Sequence, residues 1–95
     1  MRTLAVDYQG LHIELKNRLT LLTLIVNGET VDSYKGMIGP KDPTRFGFWA
    51  REAILHAEVN GISIKGQCTV GFFNLVLKIY CDDALLGQKK VMFIT

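Results

Sequence analysis

One stretch of this chain repeats the residue pattern of another, and that limits the folds open to it more than any other feature. Residues 4–13 align without a gap on residues 55–64, with Gly10 falling on Gly61, an offset of 51 positions. Apolar meets apolar at Leu4/Leu55, Val6/Ala57, Tyr8/Val59, Leu11/Ile62 and Ile13/Ile64, and acid meets acid at Asp7/Glu58. Further on, residues 22–29 lie against residues 77–84 at an offset of 55, so the second copy carries about four extra residues between its two hairpins. Internal self-similarity of this kind sets architecture before any residue-level reading. It says nothing of chemistry, and the function has to be sought elsewhere.

Within each copy the apolar residues alternate with polar ones, which is a strand pattern. Leu4, Val6 and Tyr8 alternate with Ala5 and Asp7; Leu11, Ile13 and Leu15 alternate with His12, Glu14 and Lys16. Gln9-Gly10, Asn27-Gly28 and Asn60-Gly61 stand between such runs, and Asn-Gly is the strongest short hairpin signal because both central residues of the favoured turn need positive φ. Eight strands are predicted, at about 3–8, 11–16, 20–26, 29–34, 54–59, 62–68, 72–81 and 84–94. The runs 19–26 and 72–79 are more uniformly apolar, which predicts central strands covered on both faces. Between the copies, Gly36, Gly39-Pro40 and Asp42-Pro43 break the pattern. Asp42 as N-cap, Pro43 at the first helical position and Phe46, Trp49, Ala50 and Ala53 on one face predict a short connecting helix over 43–53.

With 95 residues the chain is expected to form one domain around one core, with a first repeat at about 3–34, a connection at 35–53 and a second repeat at 54–94. The fold expected is all-β: two tandem four-stranded meanders packed as a β-sandwich, or closed as a flattened barrel.

Net charge is only +2 and the cations are scattered, Lys89-Lys90 being the one adjacent pair, so a nucleic-acid partner is not expected. An acid at Asp7 interrupts the N-terminus before a signal-peptide core can form, and no apolar run has membrane-span length. A cytoplasmic protein with no membrane association is therefore expected. Cys68 and Cys81 are read as free, buried thiols, placed roughly 30 Å apart if 62–68 and 72–81 form a hairpin turning at Val70-Gly71.

The residues offer little to catalysis. His12 and His56 fall at polar positions of strands and are expected to face solvent. Neither they nor the cysteines have metal-ligand spacing. Ser33 and Ser63 lie in no nucleophile motif, the glycines form no phosphate-cradling run, and Asp7, Glu14, Glu29, Asp32, Glu52 and Glu58 fall mainly on solvated faces. Asp82-Asp83 reads as turn chemistry. No catalytic residue, metal or cofactor is expected.

The connection is the remaining candidate. Lys41, Arg45, Phe46, Phe48, Trp49 and Arg51 bring the single tryptophan, two of five phenylalanines and three cations together. Trp and Arg are enriched at binding hot spots, so Arg45, Phe46, Phe48, Trp49 and Arg51 are the expected partner-binding residues, although the same aromatics could plug one end of the sandwich. The expected function is a small non-enzymatic binding or assembly module, or an inhibitor, with a protein partner such as a second copy of itself. A carrier of small apolar ligands in a barrel cavity is the first alternative, and an enzyme with a site assembled from distant residues the second.

Overall fold

A computed structural model describes residues 2–18, 21–35, 51–70 and 74–92. They form eight strands: β1 (Arg2–Tyr8), β2 (Leu11–Arg18), β3 (Leu21–Val26), β4 (Glu29–Lys35), β5 (Arg51–Val59), β6 (Ile62–Val70), β7 (Asn74–Cys81) and β8 (Ala84–Met92). Each half is an antiparallel meander in which every strand pairs with the next, in the order β1-β2-β3-β4 and β5-β6-β7-β8. The two halves thus have one topology, as the repeat requires. Among the described residues no ladder joins the sheets; β1 lies alongside β8 and β4 alongside β5 across the layer between them. This is the sandwich arrangement rather than the closed barrel.

Two-residue turns close four of the six local hairpins, at Gln9-Gly10, Asn27-Gly28, Asn60-Gly61 and Asp82-Asp83, with φ between 48° and 82° at every central residue. Both positions lie in the left-handed region, the geometry whose twist matches that of the flanking strands. The repeat extends to an irregularity that alternation alone does not show. Leu24 faces Asp32 while Ile25 faces Thr30, so Val31 is an extra, bulged residue in β4. Ile79 faces Gly87 while Tyr80 faces Leu85, so Leu86 is its counterpart in β8. The two bulges are 55 positions apart, the offset of the second half of the repeat. Three of the four extra residues of the second copy lengthen β6 and β7, which have 9 and 8 residues against 8 and 6 in β2 and β3, and their pairing runs on to Val70 and Leu75.

The core is the space between the inner faces. Leu11, Ile13 and Leu15 of β2 and Leu22, Leu24 and Val26 of β3 meet Leu55 of β5, Ile62, Ile64 and Cys68 of β6, and Leu75, Leu77, Ile79 and Cys81 of β7. The strand period of two sends these residues to one side, and their removal from water is the dominant favourable term in folding.

The structure departs from the sequence reading in three places. β5 begins at Arg51, so residues 51–53 are strand and not the last turn of a helix; the strand has a partner for each of them in Val70, Thr69 and Cys68. The rest of the expected helix, 43–50, lies outside the described residues. β3 and β7 are inner strands as expected, yet burial alternates along them, and Thr23, Ile25, Val76 and Lys78 on their outer sides are half-buried. Finally, Val70 belongs to β6, whereas Gly71 lies outside the described residues.

Candidate functional site

The connection between the halves leaves β4 after Lys35 and enters β5 at Arg51. Both are edge strands, so the segment joins two sheet rims. Arg45, Phe46, Phe48 and Trp49 lie outside the described residues. Arg51 is described only as the first residue of β5, opposite Val70.

What is described is the seam on which that segment is anchored. Asp32, brought to the inner side of β4 by the bulge at Val31, bridges the two rims. Its Oδ1 accepts the backbone N–H of Ser33 at 2.9 Å, and its Oδ2 accepts the backbone N–H of His56 in β5, also at 2.9 Å. An edge strand presents unpaired N–H and C=O groups, and a carboxylate aimed at them satisfies the donors while blocking strand addition there. On the opposite seam Lys89 Nζ of β8 donates to Thr3 O of β1 at 3.2 Å. One seam is closed by an acceptor and the other by a donor. The sequence reading had Asp32 on a solvated face; the bulge changes its side, and only the pairing register reveals it.

On the outer face of the first sheet, Asp7 and His12 are cross-strand partners beside the first turn. His12 Nδ1 lies 2.7 Å from Asp7 Oδ1, and Nε2 lies 3.8 Å from Glu14 Oε1. The hydrogen bond that the ring donates to Asp7 chiefly raises the imidazole pKa above its usual value, desolvation opposes it, and the charges of Asp7 and Glu14 add to the rise. Both histidines face solvent, as expected. On the outer face of the second sheet, Lys65 Nζ stands 4.5 Å from the ring centre of its cross-strand partner Tyr80, a cation–π contact. Ile54 and Leu85 are the large apolar side chains most exposed among the described residues, at 42% and 49%.

Inside the end of the sandwich nearest the connection, Arg2 Nη1 donates to Oδ1 of the buried Asn17 at 3.2 Å. Asn17 and Cys68 occupy equivalent positions of the two repeats. Burial pushes the Cys68 thiol up to about 11 despite the opposing guanidinium of Arg2, and burial followed by the charge of Asp82 raises Cys81. Both thiols are free and buried. Their spacing is shorter than expected: Cys81 lies opposite Ile64, four residues along β6 from Cys68, which is roughly 13 Å at 3.3 Å per residue. The two strands run back alongside each other from their connection, so the distances of the thiols from it subtract rather than add. Even so the spacing exceeds disulfide reach.

Among the described residues no group of three His, Cys, Asp or Glu side chains converges so as to hold a metal ion. No helix of the described residues is long and apolar enough to cross a membrane. Comparison with family models, with curated proteins and with solved structures returns no match.

Proposed function

We propose that the chain is a small non-enzymatic protein-binding module whose docking surface is the connection between its two sheets. The observation that carries this reading is the anchorage of that segment: it joins two neighbouring rims, β4 and β5, held at a fixed distance by the Asp32 bridge. A segment bearing Arg45, Phe46, Phe48, Trp49 and Arg51 and fixed at both ends loses less freedom on docking than a free tail. Ile54, exposed on β5 three residues beyond Arg51, extends the apolar part of the surface along the rim. The simplest partner is a second copy, the same patch being used on both chains about a twofold axis, with the aromatics central and the arginines at the margin. The two unpaired thiols support a reducing compartment, the cytoplasm.

The test is Trp49→Ala examined by analytical ultracentrifugation and circular dichroism together. Association is expected to weaken by roughly 2 kcal/mol or more, with the strand spectrum and the unfolding midpoint of the monomer unchanged. A wild type that sediments as a monomer, together with a Trp49→Ala variant that unfolds, would make the segment a core plug and end this reading.

A further inference from the structure

At the centre of the sandwich one pair of equivalent positions of the two repeats face each other, and they are unequal in size. Leu15 of β2 and Gly66 of β6 hold the same place in their repeats. A Cβ built on Gly66 would lie 2.8 Å from Leu15 Cδ1 and 3.4 Å from Leu24 Cδ1, so the leucine fills the space that the glycine leaves. At one seam a Cβ on Gly87 would lie 2.6 Å from Val6 Cγ1. At the other seam the counterpart of Gly87 is Asp32, which reaches the N–H of His56, and the counterpart of Val6 next to it is Ala57. Large therefore meets small at the centre and at the β1–β8 seam. Two copies of the first sheet would set Leu15 against Leu15, while two copies of the second would set Gly66 against Gly66 over a void. Each sheet accepts only its complement.

Nothing in that complementarity requires both sheets to come from one chain. No backbone ladder joins them among the described residues. The 15 residues of the connection, 36–50, span up to about 50 Å when extended, more than the 41 Å longest dimension of the described structure. We propose that the inner face of each sheet is an interaction surface for its complement in a second copy of this chain, giving a sheet-exchanged dimer selected by the Leu15–Gly66 pair. β1–β4 of one chain then packs on β5–β8 of the other, twice, and every contact of the closed monomer is kept. Because the halves of one chain see each other at a high effective concentration, the closed form prevails in dilute solution. Exchange takes over when pairing within the chain is spoiled. This inference does not use the Trp49 surface.

The experiment uses Leu15→Gly and Gly66→Leu in separate full-length chains. Alone, the first has glycine against glycine and the second leucine against leucine, in the monomer and in any homodimer alike. Refolded together at equal concentration, they restore both large–small pairs only by exchange. The expected result is a 1:1 heterodimer in native mass spectrometry, with a cooperative thermal transition missing from either variant alone. The patch dimer proposed above would instead form between identical chains and would not depend on mixing. The two substitutions combined in one chain should fold as a closed monomer. If that double variant folds and the mixture yields no heterodimer, exchange is overturned. If the double variant does not fold, or if either single variant is as stable as the wild type, the selecting pair does not exist and the proposal falls with it.

Discussion

At the four tight turns eight residues hold positive φ, and five of them are not glycine: Gln9, Asn27, Asn60, Asp82 and Asp83. Asn and Asp tolerate this region because a short polar side chain can bond locally, and two of these residues do so in the same way. Asn27 Oδ1 accepts the N–H of His12 at 2.8 Å while Asn27 N–H donates to His12 O. Asp82 makes the same clasp on Ser63, its Oδ1 at 3.1 Å and its N–H to Ser63 O at 2.9 Å. The clasps explain why aspartate can stand where the first repeat has asparagine: only the acceptor oxygen is used. Gly61, at φ 78° with open space around its Cα, is constrained by backbone alone. Gly61→Val is expected to destabilise by roughly 1–3 kcal/mol in chemical denaturation, the range for a residue forced into a sparsely populated conformation. Ser63→Val, on an exposed strand position two residues on, should stay within about 0.5 kcal/mol. Equal effects would mean that crowding rather than φ governs the turn.

At the scale of strands, the bulges do what the alternating sequence does not announce. In β4 the extra residue Val31 lets both it and Asp32 turn toward the core side, where Val31 packs and Asp32 bridges the rims. In β8 the same step brings Leu86 against the core and leaves room at Gly87 for Val6. A bulge re-aims one side chain at the cost of one ladder position, and here it re-aims the residue that meets the other sheet. Asp32→Ala removes the acceptor for two backbone donors, and the expected loss is about 1–2 kcal/mol, the scale of charge-assisted hydrogen bonds at a partly exposed site. Amide exchange at Ser33 and His56 should quicken in the same variant. Unchanged exchange at His56 would show that the bridge does not protect the β5 rim.

For the molecule as a whole, the sequence made the strands, the turns and the repeat legible because each rests on local periods and on residues with particular backbone tolerance. Gly10, Asn27-Gly28 and Gly61 marked hairpins that the structure contains, and Leu15, Leu24, Ile64 and Leu77 marked core positions that it buries. Features that arise from pairing across the chain stayed hidden. Asp32 reads as a solvated acid until the register of β3 and β4 is known, Asn17 falls just past the strand predicted at 11–16 and has no role until Arg2 is placed beside it, and Ala53 fits a helical face as readily as the strand it joins. The candidate site is legible only as composition: Phe46, Phe48 and Trp49 carry no period that fixes their surroundings, and Arg51 alone falls within a described element.

The meander order has a kinetic consequence. Every ladder within a half joins consecutive strands through a short loop, so each sheet can assemble by steps that bring together residues close in the chain. Hairpins of this size form in about 1–10 μs. Docking of the two sheets is the remaining event, and it closes the 15-residue connection. If that event limits the rate, doubling the connection with 15 Gly and Ser residues inserted after Gly39 raises the closure entropy by about 0.6 kcal/mol. Stopped-flow refolding should slow about threefold while unfolding keeps its rate. A refolding rate untouched by the insertion would place the slow step inside one of the sheets.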